Sequence, residues 1–164
     1  MQKSLIIFIS VGLLLIGLAW SAGGHEISNY LPYYYQRVLG KSAKVEIRNQ
    51  VTKVEVARSD SAKAKGLSRR KKLPYDKGML FLFDEPGYYE FWMKDMFIPL
   101  DIVWISGDKI VEITRSVLPP VKDAEPAKVK PSRQADKVLE VYAGTASQWQ
   151  VGDFARINFD AWVK

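Results

Sequence analysis

The stretch 78-GMLFLFDEPGYYEFWMKDMFIPLDIVWIS-106 decides the fold of this chain, because it is the most apolar part of the sequence outside the N-terminus. It holds four of the seven Phe. The continuous apolar run at residues 79–83 predicts a strand buried on both faces. Pro86 and Gly87 predict a turn over residues 84–87, and residues 89–94 then predict a returning strand. Pro99 interrupts the ladder, and residues 100–105 predict a third strand.

The chain upstream predicts two further strands and a helix. Residues 44–48 and 51–57 alternate polar and apolar side chains, which is typical of half-buried strands. Residues 59–61 offer N-caps for a helix over residues 62–70. The basic run at residues 69–72 would then complement the carbonyl groups at the end of that helix.

The chain downstream predicts three more strands and a short helix. Residues 105–110 are typical of a hairpin turn that leads into a strand over residues 110–114. Residues 118–133 contain four of the eight Pro and predict a long exposed loop, a candidate lid over a site. Residues 138–143 predict a strand, a short helix runs through Trp149, and residues 154–159 predict the final strand.

These elements predict one compact α+β domain dominated by β-structure. We expect a small sheet that is curled or barrel-like, accompanied by two short helices. No internal repeat and no second domain is evident, so residues 44–164 are predicted to form a single globular domain.

The N-terminus predicts export. Residues 5–22 carry no charge and follow Lys3, so residues 1–24 are interpreted as a signal peptide or an N-terminal membrane anchor with a hydrophobic helix. Small residues before Ala22 favour cleavage, whereas the length of the apolar segment favours anchoring. Residues 25–43 form a tyrosine-rich linker. The domain is therefore expected outside the cytoplasm, in the periplasm or at the cell surface, and bound to the membrane through residues 5–22 if they are not cleaved.

Composition excludes several classes of function. The 164 residues contain no Cys, so disulfides and thiolate sites are excluded, and with His25 as the single His we expect neither a His-based metal site nor a catalytic triad that needs His. We expect neither a metal nor a cofactor. The net charge of +6 is not accompanied by a nucleic-acid-binding motif, so no nucleic-acid partner is expected.

Several motifs resemble one known family. GMLFLF, FWMKDM and IPLDIVWI lie in the central stretch, GLSRRKKLP precedes it, and VLEV and VGD follow it. Together they resemble the domain of unknown function 192 family, also called uncharacterised protein family 0127, over roughly residues 50–160. Ser68 stands where that family usually has Met, and Asp95-Met96 where Asn-Thr is common. The resemblance implies a fold and domain boundaries but no reaction.

Four charged residues of these motifs interrupt or adjoin apolar strands: Arg70, Lys94, Asp101 and Glu140. Charges in such places are costly to bury unless they are paired. One interpretation is structural, with a basic member paired to an acidic one. The other is a pocket beside Trp92 for a polar ligand such as a sugar, a peptide or a zwitterion. We predict that Lys94 and Asp101 face this pocket, with Arg70 and Glu140 near its rim.

Two functions remain open at this point. The first is a non-enzymatic exported domain that binds a polar envelope ligand or an envelope protein. The second is a small extracytoplasmic hydrolase or transferase that uses Asp101 and Glu140. Geometry discriminates between them, because a hydrolytic pair must open onto one cleft with its carboxyl groups about 5–10 Å apart.

Overall fold

A seven-stranded sheet forms the body of the computed structural model, which describes residues 41–160. Its strands are β1 (Ser42–Ile47), β2 (Gln50–Ala57), β3 (Lys77–Gly87), β5 (Leu100–Ser106), β6 (Lys109–Val117), β8 (Ala135–Tyr142) and β9 (Ala155–Phe159). Two short strands, β4 (Phe91–Trp92) and β7 (Lys128–Val129), form a separate ribbon. The helices are α1 (Asp60–Lys65) and a 3₁₀ helix, η1 (Thr145–Gln148).

The large sheet curls into a half-barrel. Its strand order is β6-β5-β8-β3-β2-β1-β9, and β2 and β3, which are joined through α1, form its parallel pair. The two edges meet at one end, where Lys109 of β6 bridges to Phe154 just before β9. There the N–H of Ile110 donates to the carbonyl of Asp153 at 3.0 Å. These bonds pair edge groups that a flat sheet would leave open.

Each face of the curled sheet carries its own apolar cluster. The inner cluster includes Val45, Ile47, Leu80, Val103, Leu139 and Trp149, and η1 contributes to it through Ala146. The outer cluster includes Met79, Phe81, Met93, Ile102, Trp104 and Val138. Because side chains alternate along a strand, neighbouring residues of β5 and β8 fall into different clusters. This alternation determines which face each charged residue of these strands reaches.

Gly78 lets β3 and β8 approach closely. It lies opposite Val141, and a Cβ atom at this position would lie 2.5 Å from the carbonyl oxygen of Glu140. No real Cβ comes that close to a backbone oxygen, so the first residue of the GMLF motif has a direct packing reason to be glycine.

The predicted helix over residues 62–70 is wrong at both ends. Ser59 caps α1 by accepting a hydrogen bond from the N–H of Ala62 at 3.2 Å, so the helix begins at Asp60. It stops at Lys65 because Gly66 adopts a positive φ of 48°. The basic run at residues 69–72 therefore lies beyond the helix and does not cap its last turn.

The central stretch also differs from its prediction. Strand β3 continues through the predicted turn at 84–87 as far as Gly87, with a bulge after Leu82. The predicted strand over 89–94 shrinks to the two residues of β4, which pair with β7 instead of the large sheet. Consequently the predicted loop 118–133 contains a strand, and that strand anchors it beside Trp92.

The remaining elements match their predictions closely. The ends of β5, β8 and β9 lie within three residues of the expected bounds. Gly107 forms the turn of the β5–β6 hairpin with a φ of 61°. The β-dominated domain with a curled sheet and little helix is confirmed. The predicted N-terminal helix and most of the linker lie outside the described residues. Within residues 41–160, no helix has the length and hydropathy to cross a bilayer.

Candidate functional site

Glu140 is a buried carboxyl group at the centre of the outer sheet face. It lies on β8 between Met79 of β3 and Ile102 of β5, which are its paired neighbours. The residue is only 6% exposed. Its Oε2 is fully buried and finds no hydrogen-bond partner among the described residues. A buried polar group without a partner is uncommon in proteins and calls for an explanation.

A narrow cleft lies over Glu140, with a volume of about 40 Å³. Its remaining walls come from residues 63–68, from Phe81, and from Phe91, Trp92, Lys94 and Met96. A cavity needs roughly 10–15 Å³ of such space to hold one water molecule, so this cleft has room for a few atoms. The cleft can therefore receive a small chemical group but not a whole sugar or peptide.

Strand β4 positions the aromatic wall. The ring of Phe91 packs edge-on against those of Phe81 and Trp104, with ring centres 4.9 Å and 5.3 Å apart. These contacts connect β4 to the outer cluster. Trp92 is 51% exposed. The ammonium of Lys94 lies 5.1 Å from the centre of the Trp92 ring, within the range of a cation–π contact.

Burial controls the charge of this cleft. Desolvation raises the pKa of Glu140 from 4.5 to about 8, because no partner stabilises the ionised carboxylate. The other ionisable side chains that line the cleft are Lys63, Lys65 and Lys94. An uncharged acid at the floor thus faces positive charge at the rim near neutral pH.

Asp101 lies elsewhere, on the inner side of the sheet. Its carboxylate accepts hydrogen bonds from three backbone N–H groups, those of Ser116 at 2.9 Å, Gly144 at 2.8 Å and Ala146 at 3.0 Å. These bonds join β6 and the start of η1 to β5. Asp101 does not line the cleft that holds Trp92 and Lys94, so the expected meeting of Lys94 and Asp101 is not found.

Arg70 also lies apart from the cleft. Its guanidinium donates two hydrogen bonds to the Glu55 carboxylate in a bidentate arrangement, with both N–O distances at 2.7 Å. This contact lowers the pKa of the Glu55 carboxyl. Arg70 lines a wider cleft of about 500 Å³ with Lys44, Lys53 and Lys77, but no unpartnered buried side chain is found there among the described residues.

The structure thus brings together three of the five predicted site residues: Trp92, Lys94 and Glu140. Sequence reasoning missed Phe81, Phe91, Met96 and the segment 63–68. The position of Phe91 next to Trp92 was a usable signal, because adjacent residues of a strand point to opposite faces and one of the two rings must therefore point inward. Ser68 and Met96, two of the positions that depart from the family pattern, both line the cleft.

Comparison with known proteins identifies the family. A family model described as "Uncharacterized ACR", the domain of unknown function 192, matches residues 43–159. This chain belongs to that family. The match spans the sheet and the cleft of this DUF192 domain, which confirms the resemblance drawn from its motifs. Among curated proteins, none matches the chain.

Two crystal structures resemble this DUF192 domain. One is a candidate transcription regulator from Sinorhizobium meliloti 1021, with a TM-score of 0.65, 27% identity, and coverage of 73% of this chain and 96% of that one. The other is a protein of unknown function from Novosphingobium aromaticivorans DSM 12444, with a TM-score of 0.62, 28% identity, and coverage of 70% and 83%. Both therefore share the fold of most of this chain.

Proposed function

We propose that this protein is an exported or membrane-anchored domain that binds a polar ligand of the cell envelope in the Glu140 cleft. The observation that carries the proposal is the buried Glu140 carboxyl, which lines this narrow cleft and has no partner among the described residues. A buried acid that only stabilised the fold would be expected to hold a hydrogen bond or an ion pair. A bound ligand would supply the missing contact.

The surroundings of Glu140 favour binding over hydrolysis. Aromatic walls with a few polar groups are typical of ligand sites, and Phe91, Trp92 and Lys94 provide them. A hydrolase of the Asp101–Glu140 kind would need a second carboxyl in the same cleft. Among the residues that line this cleft, Glu140 is the one carboxylic acid.

The proposed location follows from the charge-free residues 5–22 behind Lys3, which are typical of export. An extracytoplasmic domain would meet sugars, peptides and zwitterions of the envelope. The small volume of the cleft indicates that only one end of such a ligand enters it, while the rest lies over Trp92.

A thermal-shift screen of the full-length protein in detergent tests the proposal, with a panel of soluble envelope sugars, peptides and small zwitterions. A ligand that binds only the folded protein raises the melting temperature. We expect at least one compound to do so for the wild type and for Phe154→Ala, but not for Trp92→Ala.

Phe154 is a matched control. It is 53% exposed and has Lys109 4.9 Å from its ring centre, much like Trp92 and Lys94, but it does not line the Glu140 cleft. If no compound raises the melting temperature, or if Trp92→Ala responds like the wild type, the proposed site is wrong.

A further inference from the structure

We infer that the group which enters the Glu140 cleft is a primary ammonium, carried by a small zwitterion whose anionic end lies among the rim lysines. This inference rests on the proposed function and names its ligand class. It is carried by three features of the cleft: its size, its unpartnered carboxyl and the arrangement of its charges.

Size limits the group that can enter. A volume of about 40 Å³ accommodates an ammonium, which is close to a water molecule in size. The floor of the cleft offers the Glu140 carboxyl, which is 6% exposed and without a partner among the described residues. An ammonium would give this carboxyl a charge-assisted hydrogen bond, which is about twice as strong as one between neutral groups.

The aromatic wall favours the same group. Phe81, Phe91 and Trp92 line the cleft, and the faces of aromatic rings attract cations. A neutral hydroxyl could form a hydrogen bond with the carboxyl, but it would gain nothing from these rings. The combination of one buried acid and several aromatic rings therefore selects for positive charge at the floor.

The rim requires the opposite charge. Lys65 lines the cleft from α1 and Lys94 lines it from the segment after β4, whereas the ammonium of Lys63 lies 3.9 Å from Asp60 and over the Phe83 ring. No acid other than Glu140 lines the cleft, so a ligand with only positive charge would be repelled as it entered. An anionic group two or three bonds from the ammonium nitrogen would offset that repulsion, which is why we infer a zwitterion.

Binding an ammonium should also release a proton. Burial keeps Glu140 largely protonated at neutral pH, since its pKa is about 8 in the free protein. When the cation enters, the acid ionises, and the proton passes from its carboxyl oxygen to solvent. Affinity should therefore rise with pH up to about 8, by at most about tenfold for each pH unit.

Titration calorimetry of the full-length protein in detergent tests the inference with three probes at pH 6, 7 and 8. Taurine carries an ammonium and a sulfonate that does not titrate in this range. Isethionate replaces only the ammonium by a hydroxyl, and ethanolamine lacks the anion. We expect taurine to bind more tightly than either of them, with an affinity that rises with pH and with close to one proton released at pH 6. Glu140→Gln should weaken taurine binding at least about tenfold and remove its pH dependence.

Three results would overturn the inference. If isethionate binds as well as taurine, or if affinity falls as pH rises, the buried acid serves as a donor to a neutral or anionic group. In that case the ligand site itself would still stand, provided that Trp92→Ala abolishes binding. If none of the three probes binds while another compound of the thermal-shift panel does, the ligand class is wrong and the proposed function is not.

Discussion

The carboxyl groups of Asp101 and Glu140 point to opposite faces of the sheet, although they lie on adjacent strands. Asp101 pairs with Val141, and Glu140 pairs with Ile102, so the two acids are offset by one residue in register. An offset of one residue places side chains on opposite faces of a sheet. They therefore cannot act together on one bond.

Asp101 should be a major determinant of stability. Replacing it by Ala removes the acceptor of three backbone N–H groups, one of which, in Ala146, is buried. Asp101→Ala should lower the free energy of unfolding by about 3–5 kcal/mol, and Asp101→Asn by less because one oxygen remains. Urea unfolding measures both changes. Glu125→Ala, in an exposed loop, serves as the control, and a loss equally small for Asp101→Ala would contradict this role.

Arg70 should contribute little, despite its short contacts with Glu55. The side chains of this pair are 34% and 57% exposed, so solvent screens their attraction. Arg70→Ala should lower the free energy of unfolding by only about 0–1 kcal/mol. Urea unfolding provides the measurement. A loss comparable to that of Asp101→Ala would show that this ion pair supports the core.

Glu140 should make stability fall as pH rises. Its pKa is raised from 4.5 to about 8 by burial, so the native state holds a proton that the unfolded chain releases between these values. The free energy of unfolding should therefore decrease by about 2–3 kcal/mol from pH 5 to pH 7 relative to Glu140→Gln, which cannot ionise. Parallel urea titrations of both proteins at several pH values give this difference. Parallel curves would show that the carboxyl is already ionised in the native state.

The described domain should fold without the N-terminal segment. β1 begins at Ser42, and the carbonyl of Lys41 accepts a hydrogen bond from the N–H of Val56, so a fragment of residues 41–164 retains every strand of the sheet. It should unfold in one sharp thermal transition, measured by circular dichroism. If the full chain gives such a transition and the fragment does not, residues 1–40 contribute to the core.

The N-terminal residues should direct the domain out of the cytoplasm. A reporter that is active only in the cytoplasm, fused after Lys164, should be silent because the charge-free residues 5–22 are typical of an export signal. The same fusion without residues 1–24 should be active. An active reporter in the full-length fusion would refute export.

The sequence by itself determined the class of the fold and many of its strands. The apolar runs of β5 and β8 and the alternation in β1, β2 and β9 predicted strands because burial of one or both faces leaves a pattern in the chain. Gly107 predicted the hairpin between β5 and β6 because a tight turn needs a positive φ. The motifs of the central stretch were sufficient to identify the family.

Only the tertiary structure decided where the apolar central stretch paired. Residues 84–87 extend β3 past a bulge, and β4 finds its partner in β7, about 36 residues away along the chain. Local turn preferences cannot anticipate this, because the pairing depends on a strand hidden in a loop rich in proline.

The roles of the charged residues were likewise decided by tertiary contacts. The sequence marked Asp101 and Glu140 as unusual because each interrupts an apolar strand. It could not assign their roles, because the partners of Asp101 lie 15, 43 and 45 residues further along the chain. Glu140 lacks such partners because its face is covered by Phe91, Met96 and the segment after α1, which supply no donor to it. A one-residue difference in register, set by the pairing of β5 with β8, separates an acid that accepts three hydrogen bonds from one whose Oε2 accepts none among the described residues.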